Sequence, residues 1–432
     1  MDFAIGLIST VIALGLLGIA VYKGVPILIA SPICGAIVLL GNGYPLLEGL
    51  TGPYIAEAAN FFKSWFLFFL LGAVLGVIME QTGAAASLAH VISRKLGSKF
   101  AMPAVTAICG LLMIGGVSGF VVVFAVYPFA VELFKEADIP RKYMVATIAV
   151  SCAGWAMWLP GVPMTQNVIP MQYLGTTATA GTIVGIICFF FQWGLSILYL
   201  NRCVKKDHAK GIHFESREQL IVTDEKDLPS AWAAVIPLLL VFGTFALLDM
   251  NILFSLLIGV VSSLVLLRKQ VKGKLLKILE DGCTSATGAT MNVCMIMAVA
   301  GAFKVTDTYA TVVESLLNLP FDPLISAAIA VNVVAGLTAS ATGGITVALP
   351  AIGEAFINMG ANANALHRVV AISSGVMDSM PHSGWFCSTR DLCKTSHRES
   401  YGPFAFICIG IAFLTVVLAI LLFVLIPPLC NL

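Results

Sequence analysis

Two groups of small polar residues interrupt long apolar stretches, and they stand at matching places in the two halves of the sequence. The residues are Ser118 and Gly119 in the first half, and Ser340, Thr342 and Gly343 in the second. Helix N-termini bind anions because their N–H groups are unpaired and the helix dipole favours negative charge, and neighbouring hydroxyl groups add donors. We therefore interpret both groups as carboxylate-binding residues. Close helix packing by small residues is the alternative.

A second polar group follows each of these along the chain, beside a proline that cannot continue a helix. The candidate residues are Thr165, Gln166 and Asn167 after Pro163, and Ser383 after Pro381. Unwound backbone at such a break offers hydrogen-bonding groups, so these side chains are predicted to complete the binding site. An ordinary loop that binds nothing is the alternative interpretation.

Asp378 and His382 are the ionisable residues that could carry a coupling proton. They stand four apart, so a continuing helix would place both on one face. The ordinary pKa of histidine is about 6.5, and a neighbouring carboxylate can adjust it for proton uptake. We predict a proton-coupling pair, with a pair at a helix end at the cytoplasmic interface as the alternative. Glu80 and Lys304, at the ends of apolar runs, are interpreted as interfacial side chains.

The composition indicates that membrane helices hold these residues. Hydrophobic residues make up 59% of the chain and charged residues 11%, against about 45–50% and about 25% in soluble domains. Apolar stretches near the bilayer-spanning length of ~20 residues recur along the sequence. A net charge of +1 gives no sign of a nucleic-acid partner. The cysteines lie mostly in apolar stretches without a C-x-x-C pair, so neither a metal nor a cofactor is predicted.

Basic residues between the apolar stretches predict the orientation, because short cytoplasmic loops collect Lys and Arg. Basic clusters flank the broken stretch 100–134, so it is predicted to enter and leave on the cytoplasmic face as a re-entrant hairpin. The broken stretch 321–358 lacks flanking basic clusters and is predicted to be a hairpin from the opposite face. The predicted fold class is an all-α polytopic membrane protein with about ten transmembrane helices and two re-entrant hairpins.

The two halves also share a residue pattern. Ser118 and Ser340 are 222 positions apart, and so are Pro128 and Pro350. Together with the orientation derived from the charges, this spacing predicts an inverted-topology repeat. Its units are residues 1–200 and 230–432, joined by the polar segment 201–229 as a cytoplasmic linker. Inverted repeats with interrupted helices are typical of secondary transporters.

One motif suggests a different function. The segment Gly116-Val-Ser118-Gly119 matches the short G-x-S-G pattern of rhomboid-like intramembrane serine proteases. Such a serine needs a general base nearby, and no histidine follows it within an apolar run of the first half. The protein is therefore predicted not to be an enzyme, and an intramembrane serine protease that uses Ser118 is kept as an alternative.

Four segments resemble those of the gluconate permease (GntP) family of the ion transporter superfamily. They are residues 71–85, 300–306, 339–342 and 383–386. The resemblance extends in order over nearly the whole chain. It implies a proton-coupled importer of small organic acids, with paired re-entrant hairpins around a central site. The chain departs from the family pattern at residues 117–120 and 379–382, so a gluconate-like acid, a hydroxy acid and other carboxylates all stay open as substrates.

The expected partners are a small organic anion, a coupling proton or sodium ion, and the lipid bilayer of the cell (inner) membrane. A homo-oligomer is left open. Proton symport with alternating access is the main hypothesis. A sodium-coupled carboxylate carrier and an antiporter are the alternatives.

Overall fold

The computed structural model describes residues 3–23, 25–96, 100–117, 119–216, 228–317, 320–338, 340–381 and 383–431. All regular secondary structure in these residues is helical. This confirms the predicted all-α class. The helices before the linker are α1 (Phe3–Tyr22), α2 (Ile27–Gly41), α3 (Leu46–Gly49), α4 (Ile55–Gln81), α5 (Ala84–Leu96), α6 (Ala101–Ile114), α7 (Gly119–Glu136), α8 (Met144–Val150), α9 (Ala156–Trp158), α10 (Thr165–Leu174) and α11 (Thr182–His208).

The second half contains a similar series of helices. They are α12 (Ala231–Phe242), α13 (Ile252–Leu266), α14 (Arg268–Val271), α15 (Leu275–Lys304), α16 (Asp307–Leu317), α17 (Pro323–Thr338), α18 (Ala341–Asn358), α19 (Ala363–Met377), α20 (Gly384–Leu392), α21 (His397–Ala405) and α22 (Ala412–Leu425).

Five of the described helical runs are long and apolar enough to cross a membrane. They are α1, the run that ends in α4, α11, α15 and the run from α21 to α22. Several others, including α2, α6, α12, α13, α17 and α18, contain apolar segments of 10–17 residues. The chain is therefore a multi-pass membrane protein. The count of ten spans remains a prediction.

Both predicted broken stretches are interrupted at their small residues. Gly116 turns the chain between α6 and α7 with a φ of 85°, a conformation in which a side chain would be strained. Ser340 lies in the short connection between α17 and α18. In each pair the two helices pack against each other. A Cβ on Gly344 of α18 would stand 2.7 Å from the Cβ of Ala335 in α17, so this glycine allows the close approach.

Several helices lie where the sequence analysis expects polar connections or breaks, namely α5, α10, α16 and α20. Their polar and charged residues shorten the apolar runs, but helix formation does not require apolar residues. α5 and α16 instead place apolar residues on one face and polar residues on the other. Two helices also begin earlier than the apolar runs of the sequence, which start at residues 62 and 284. α4 begins at Ile55 and α15 at Leu275, because the polar residues ahead of each run are also helical.

α4 and α15 pack along each other and run in opposite directions. At one end Gln81 Nε2 donates a hydrogen bond to Asp281 Oδ2 over 2.6 Å. At the other end Lys304 Nζ lies 2.6 Å from Glu57 Oε1. An inverted repeat requires opposite directions for two helices at equivalent positions in the halves. The Lys304 ammonium is thus paired and partly buried. Its placement at the membrane interface remains a prediction.

Replacing Lys304 with methionine is expected to lower the unfolding free energy by roughly 1–3 kcal/mol, between the costs of breaking an exposed and a buried ion pair. The Lys304 and Glu57 side chains are 23% and 24% exposed, so Glu57 would keep a poorly solvated charge. The double variant Glu57→Gln/Lys304→Met should recover part of the loss. Thermal unfolding of the purified protein measures both, with the exposed Lys63→Met of α4 as the control. Identical melting of Lys304→Met and the wild type would contradict this role.

Candidate functional site

The N-termini of two helices, one from each half of the chain, meet through threonine side chains. α10 begins at Thr165, and α18 begins one residue before Thr342. Thr165 Oγ1 lies 2.8 Å from Thr342 Oγ1. Thr165 Oγ1 also lies 3.2 Å from Gln166 Oε1, and either threonine hydroxyl can be the donor between the two. The first N–H groups and the positive dipole ends of two helices therefore converge in one region.

Ser340 caps the N-terminus of α18. Its backbone is extended, and its Oγ accepts a hydrogen bond from the Gly343 N–H over 3.1 Å. Serine is favoured at this position because its hydroxyl satisfies one of the N–H groups that the helix leaves unpaired. The structure thus places three of the predicted site residues, Ser340, Thr342 and Gly343, at one helix end. Their role in ligand binding remains a prediction.

Asn167 is fully buried and holds the broken backbone that precedes α10. Its Nδ2 lies 3.1–3.2 Å from the carbonyl oxygens of Met157, Leu159 and Val162. The sequence interpretation placed Thr165, Gln166 and Asn167 in unwound backbone. In the structure the interruption covers residues 159–164 and these three residues form the first turn of α10. The preceding helix already ends at Trp158, ahead of Leu159 and Pro160. Nothing in the chemistry of Pro163 prevents a new helix from starting two residues later.

Arg368 of α19 was not among the predicted site residues, yet it joins the two halves beside this break. Its side chain is fully buried. The guanidinium donates to the Trp158 carbonyl, to Asn167 Oδ1 over 2.8 Å, and to the Ala180 carbonyl over 2.6 and 3.0 Å. The acceptors are all oxygens of neutral groups. Arg368 thus supplies hydrogen bonds that the interrupted backbone of the first half cannot make within a helix.

His367, the neighbour of Arg368, is also fully buried. Its Nδ1 lies 2.7 Å from Thr176 Oγ1, in the turn that follows α10. Its Nε2 has no hydrogen-bond partner in the part of the chain that the structure describes. The sequence does carry a signal for both residues, because a basic pair inside an apolar run is costly in a membrane and marks a functional or structural site.

The turn of the first hairpin contacts α20 of the second half. A Cβ on Gly119 would stand 3.3 Å from Trp385 Nε1, and that indole N–H has no hydrogen-bond partner among the described residues. Ser383, at the N-cap position of α20, is buried. The predicted residue Ser118 lies outside the described residues. Each broken hairpin therefore contacts the polar break of the opposite half, Thr342 with Thr165 and Gly119 with Trp385.

Asp378 lies where α19 ends. The Ser379 hydroxyl donates to Asp378 Oδ1 over 2.8 Å. α19 ends at Met377 and the chain turns at residues 378–381, so the continuing helix that would place Asp378 and His382 on one face is not formed there. The four-residue spacing of Asp378 and His382 therefore does not by itself place the two side chains on one helix face. His382 itself lies outside the described residues.

The all-helical fold and its membrane-spanning helices define a multi-pass helical membrane protein. Residues 64–384 match the GntP family permeases, so the chain belongs to the GntP permease family. This confirms the family resemblance drawn from the sequence.

Two bacterial proteins and one crystal structure are similar to this chain. The uncharacterized transporter YxjC of Bacillus subtilis (strain 168) is 31% identical over 444 residues, which cover 91% of this chain and 94% of YxjC. An uncharacterized transporter of Haemophilus influenzae is 25% identical over 328 residues, 74% of this chain and 75% of its own. The Alcanivorax borkumensis YdaH transporter, reported to have an unusual topology, shares the fold with a TM-score of 0.60 at 15% identity, over 88% of this chain and 89% of YdaH.

Proposed function

We propose that the protein is a secondary active transporter that imports a small organic acid anion across the cell (inner) membrane by proton symport. The observation that carries the proposal is the meeting of the α10 and α18 N-termini at Thr165 and Thr342, 2.8 Å apart. A carboxylate is the ligand that such an arrangement favours, because it accepts hydrogen bonds from hydroxyls and backbone N–H groups at the positive ends of helices.

The buried Arg368 adds a positive charge behind these helix ends. Its acceptors among the described residues are neutral carbonyl and amide oxygens, so its charge is spread over hydrogen bonds but is not neutralised by a negative group. A cation in a medium of low dielectric constant attracts an anion more strongly than it would in water. Arg368 therefore favours an anionic substrate near α10 without contacting it.

Transport would follow from the arrangement of the two halves. Residues 1–200 and 230–432 form the proposed inverted units, with 201–229 as their linker. The contacts of each broken hairpin with the opposite half offer two equivalent gates around one site. Movement of one substructure would break one set of contacts and keep the other, which exposes the site to one side at a time. Asp378 and His382 are the proposed proton carriers.

The experiment that tests the function is uptake by proteoliposomes under an imposed gradient. A panel of carboxylates, beginning with gluconate, is first screened for thermal stabilisation of the purified protein, because a ligand that binds the folded state raises its stability. The stabilising acid is then offered with a pH gradient or a sodium gradient. Accumulation with the pH gradient supports proton symport. Accumulation driven only by sodium, or only by a counter-substrate, would instead establish a sodium-coupled carrier or an antiporter, and no gradient-driven accumulation would remove the transport proposal.

Replacing Thr342 with valine is expected to weaken binding of the transported acid about tenfold or more, since a hydrogen bond to a charged group contributes about 1.5–3 kcal/mol. Valine keeps the shape of threonine and removes only the hydroxyl. The control is Thr415→Val, which also removes one buried hydroxyl. That hydroxyl donates a hydrogen bond to the Ile411 carbonyl oxygen within its own helical segment. Ligand-induced thermal stabilisation measures the affinity. Equal affinities for Thr342→Val and Thr415→Val would exclude the Thr342 hydroxyl from the binding site.

A further inference from the structure

Three side chains with metal-binding groups lie together where the first half of the chain ends. Asp138 follows α7, His208 is the last residue of α11, and His213 lies five residues further on. One carboxylate oxygen and one ring nitrogen from each histidine all lie within 4.8 Å of one another. The side chains of Asp138 and His213 are exposed and that of His208 is partly buried, so the cluster is open to solvent. The proposed transport mechanism uses none of these residues.

The distances within this Asp-His-His cluster are close to those of a metal site. Asp138 Oδ2 lies 2.6 Å from His213 Nδ1 and 3.9 Å from His208 Nε2. Zinc bonds of about 2.0–2.1 Å in a tetrahedral arrangement place neighbouring ligand atoms roughly 3.4 Å apart. The observed separations lie on either side of that value. Small side-chain rotations would therefore suffice, with His208 Nε2 leaving the Asp138 carbonyl oxygen that now lies 2.8 Å away.

The backbone that carries the three side chains is held in place. After α11 the chain turns back at Gly211, whose φ is 72°, and Ile212 N–H donates to the Asp207 carbonyl over 3.0 Å. This turn stacks His213 on His208, with ring centroids 5.3 Å apart. Asp138 has a left-handed backbone, with a φ of 54°, and its Oδ1 accepts a hydrogen bond from the Phe214 N–H over 3.0 Å. The ligand groups thus come from two segments that are already joined.

The chemistry of the cluster selects the kind of metal. Two imidazoles and one carboxylate suit zinc and neighbouring first-row metals, whereas calcium and magnesium prefer sites built from oxygen ligands. The Asp138 carboxylate is positioned by the Phe214 N–H at Oδ1 and by the His213 ring at Oδ2. The nearby Lys142 is paired with Asp207 instead of Asp138.

We propose that Asp138, His208 and His213 bind one divalent first-row metal ion of the zinc type, with water in the remaining position. The ion would tie the end of α7, which leaves the first hairpin, to the end of α11 and to the start of the linker 201–229. A metal bound there restrains the hairpin relative to the rest of the first half. The site shares no residue with the region where α10 and α18 meet.

The test is zinc binding by the purified full-length protein in detergent, after removal of metal with a chelator. Calorimetric titration with ZnCl₂ is expected to give one ion per chain. His213→Gln and Asp138→Asn are each expected to weaken binding at least about tenfold, which is a loss of about 1.4 kcal/mol. Asn is suited to the left-handed backbone at position 138 and keeps an acceptor for Phe214, so this variant should fold. The double variant His208→Gln/His213→Gln should lose the site.

The controls are His90→Gln, which removes an imidazole elsewhere, and Cys283→Ser, which removes an exposed thiol. Both should keep the stoichiometry and affinity of the wild type. Thermal unfolding without zinc checks that every variant is folded. Unchanged zinc binding by the double variant, or no zinc binding by the wild type, would overturn the proposal and leave the cluster as a hydrogen-bonded contact only. The measurement does not depend on transport, so it stands or falls apart from the proposed function.

Discussion

Replacing Arg368 with methionine is expected to abolish uptake and to lower the unfolding free energy by about 3 kcal/mol or more, because each buried acceptor left without a donor costs about 1–3 kcal/mol. The reason lies in what the guanidinium leaves behind. The Trp158 and Ala180 carbonyl oxygens and Asn167 Oδ1 lose their donor in a fully buried place. In a membrane protein water cannot readily replace that donor. Asn167, which in turn holds three carbonyl oxygens of the break, would lose its orientation.

The variant Arg368→Lys distinguishes the contribution of the positive charge from that of the hydrogen-bonding geometry. Lysine keeps a positive charge, but its single ammonium cannot reach acceptors in three directions as the planar guanidinium does. If the hydrogen-bonding geometry is decisive, Arg368→Lys should lose most of the uptake that Arg368→Met loses. If only the positive charge matters, the lysine variant should retain uptake.

Thermal unfolding and proteoliposome uptake of the stabilising carboxylate measure both effects. Arg202→Met is the matched control, because Arg202 is an exposed arginine of α11 and its loss leaves no buried group without a partner among the residues that the structure describes. Wild-type melting and uptake by Arg368→Met would show that the interrupted backbone does not depend on this side chain.

Replacing Asp378 with asparagine is expected to abolish accumulation driven by a pH gradient while leaving substrate exchange between equal concentrations intact. Asparagine keeps the size of aspartate and an oxygen that can accept the hydrogen bond from Ser379, now 2.8 Å long. It cannot take up and release a proton. Asp378 lies at the end of the same helix, α19, that carries His367 and Arg368. A change in its protonation therefore acts on the helix that joins the halves.

The control for this variant is Asp391→Asn, since Asp391 lies on α20 and its side chain is 67% exposed. Exchange measured with the radiolabelled acid shows whether Asp378→Asn is folded and binds substrate. Full uphill accumulation by Asp378→Asn would remove this residue from coupling. If a sodium gradient drives accumulation by the wild type and Asp378→Asn loses that accumulation, Asp378 belongs to a sodium-coupled cycle instead.

The positions of the two broken stretches could be read from the sequence because their signals are local. Glycine and serine in the middle of apolar stretches favour a turn, and both stretches turn there, at Gly116 and beside Ser340. Ser340 is a favoured N-cap residue, and it does cap α18. The helices α5 and α16 are missed because they are amphipathic, and a search for continuous apolar runs does not detect that pattern.

The candidate site is predicted in part for a different reason. Thr165 and Thr342 are singled out by their place beside breaks, but their contact joins residues 177 positions apart. Arg368 and Trp158 are 210 positions apart. No local sequence pattern predicts that a basic residue at the start of one apolar run donates hydrogen bonds to carbonyl oxygens of another run. Trp385 is missed as well, because an indole beside an apolar run is ordinary until its N–H is seen next to Gly119.

Composition, the lengths of the apolar runs and the residues at their interruptions were enough to establish a helical membrane protein and to place two broken segments, because burial in lipid and helix termination act on residues near in sequence. The order and likeness of its segments also gave the family. Only the tertiary structure decided that each broken hairpin contacts the opposite half and that Arg368 bridges the break before α10. Those contacts depend on how helices that are distant in sequence pack against each other. The acceptors of the Arg368 guanidinium come together only in the folded protein.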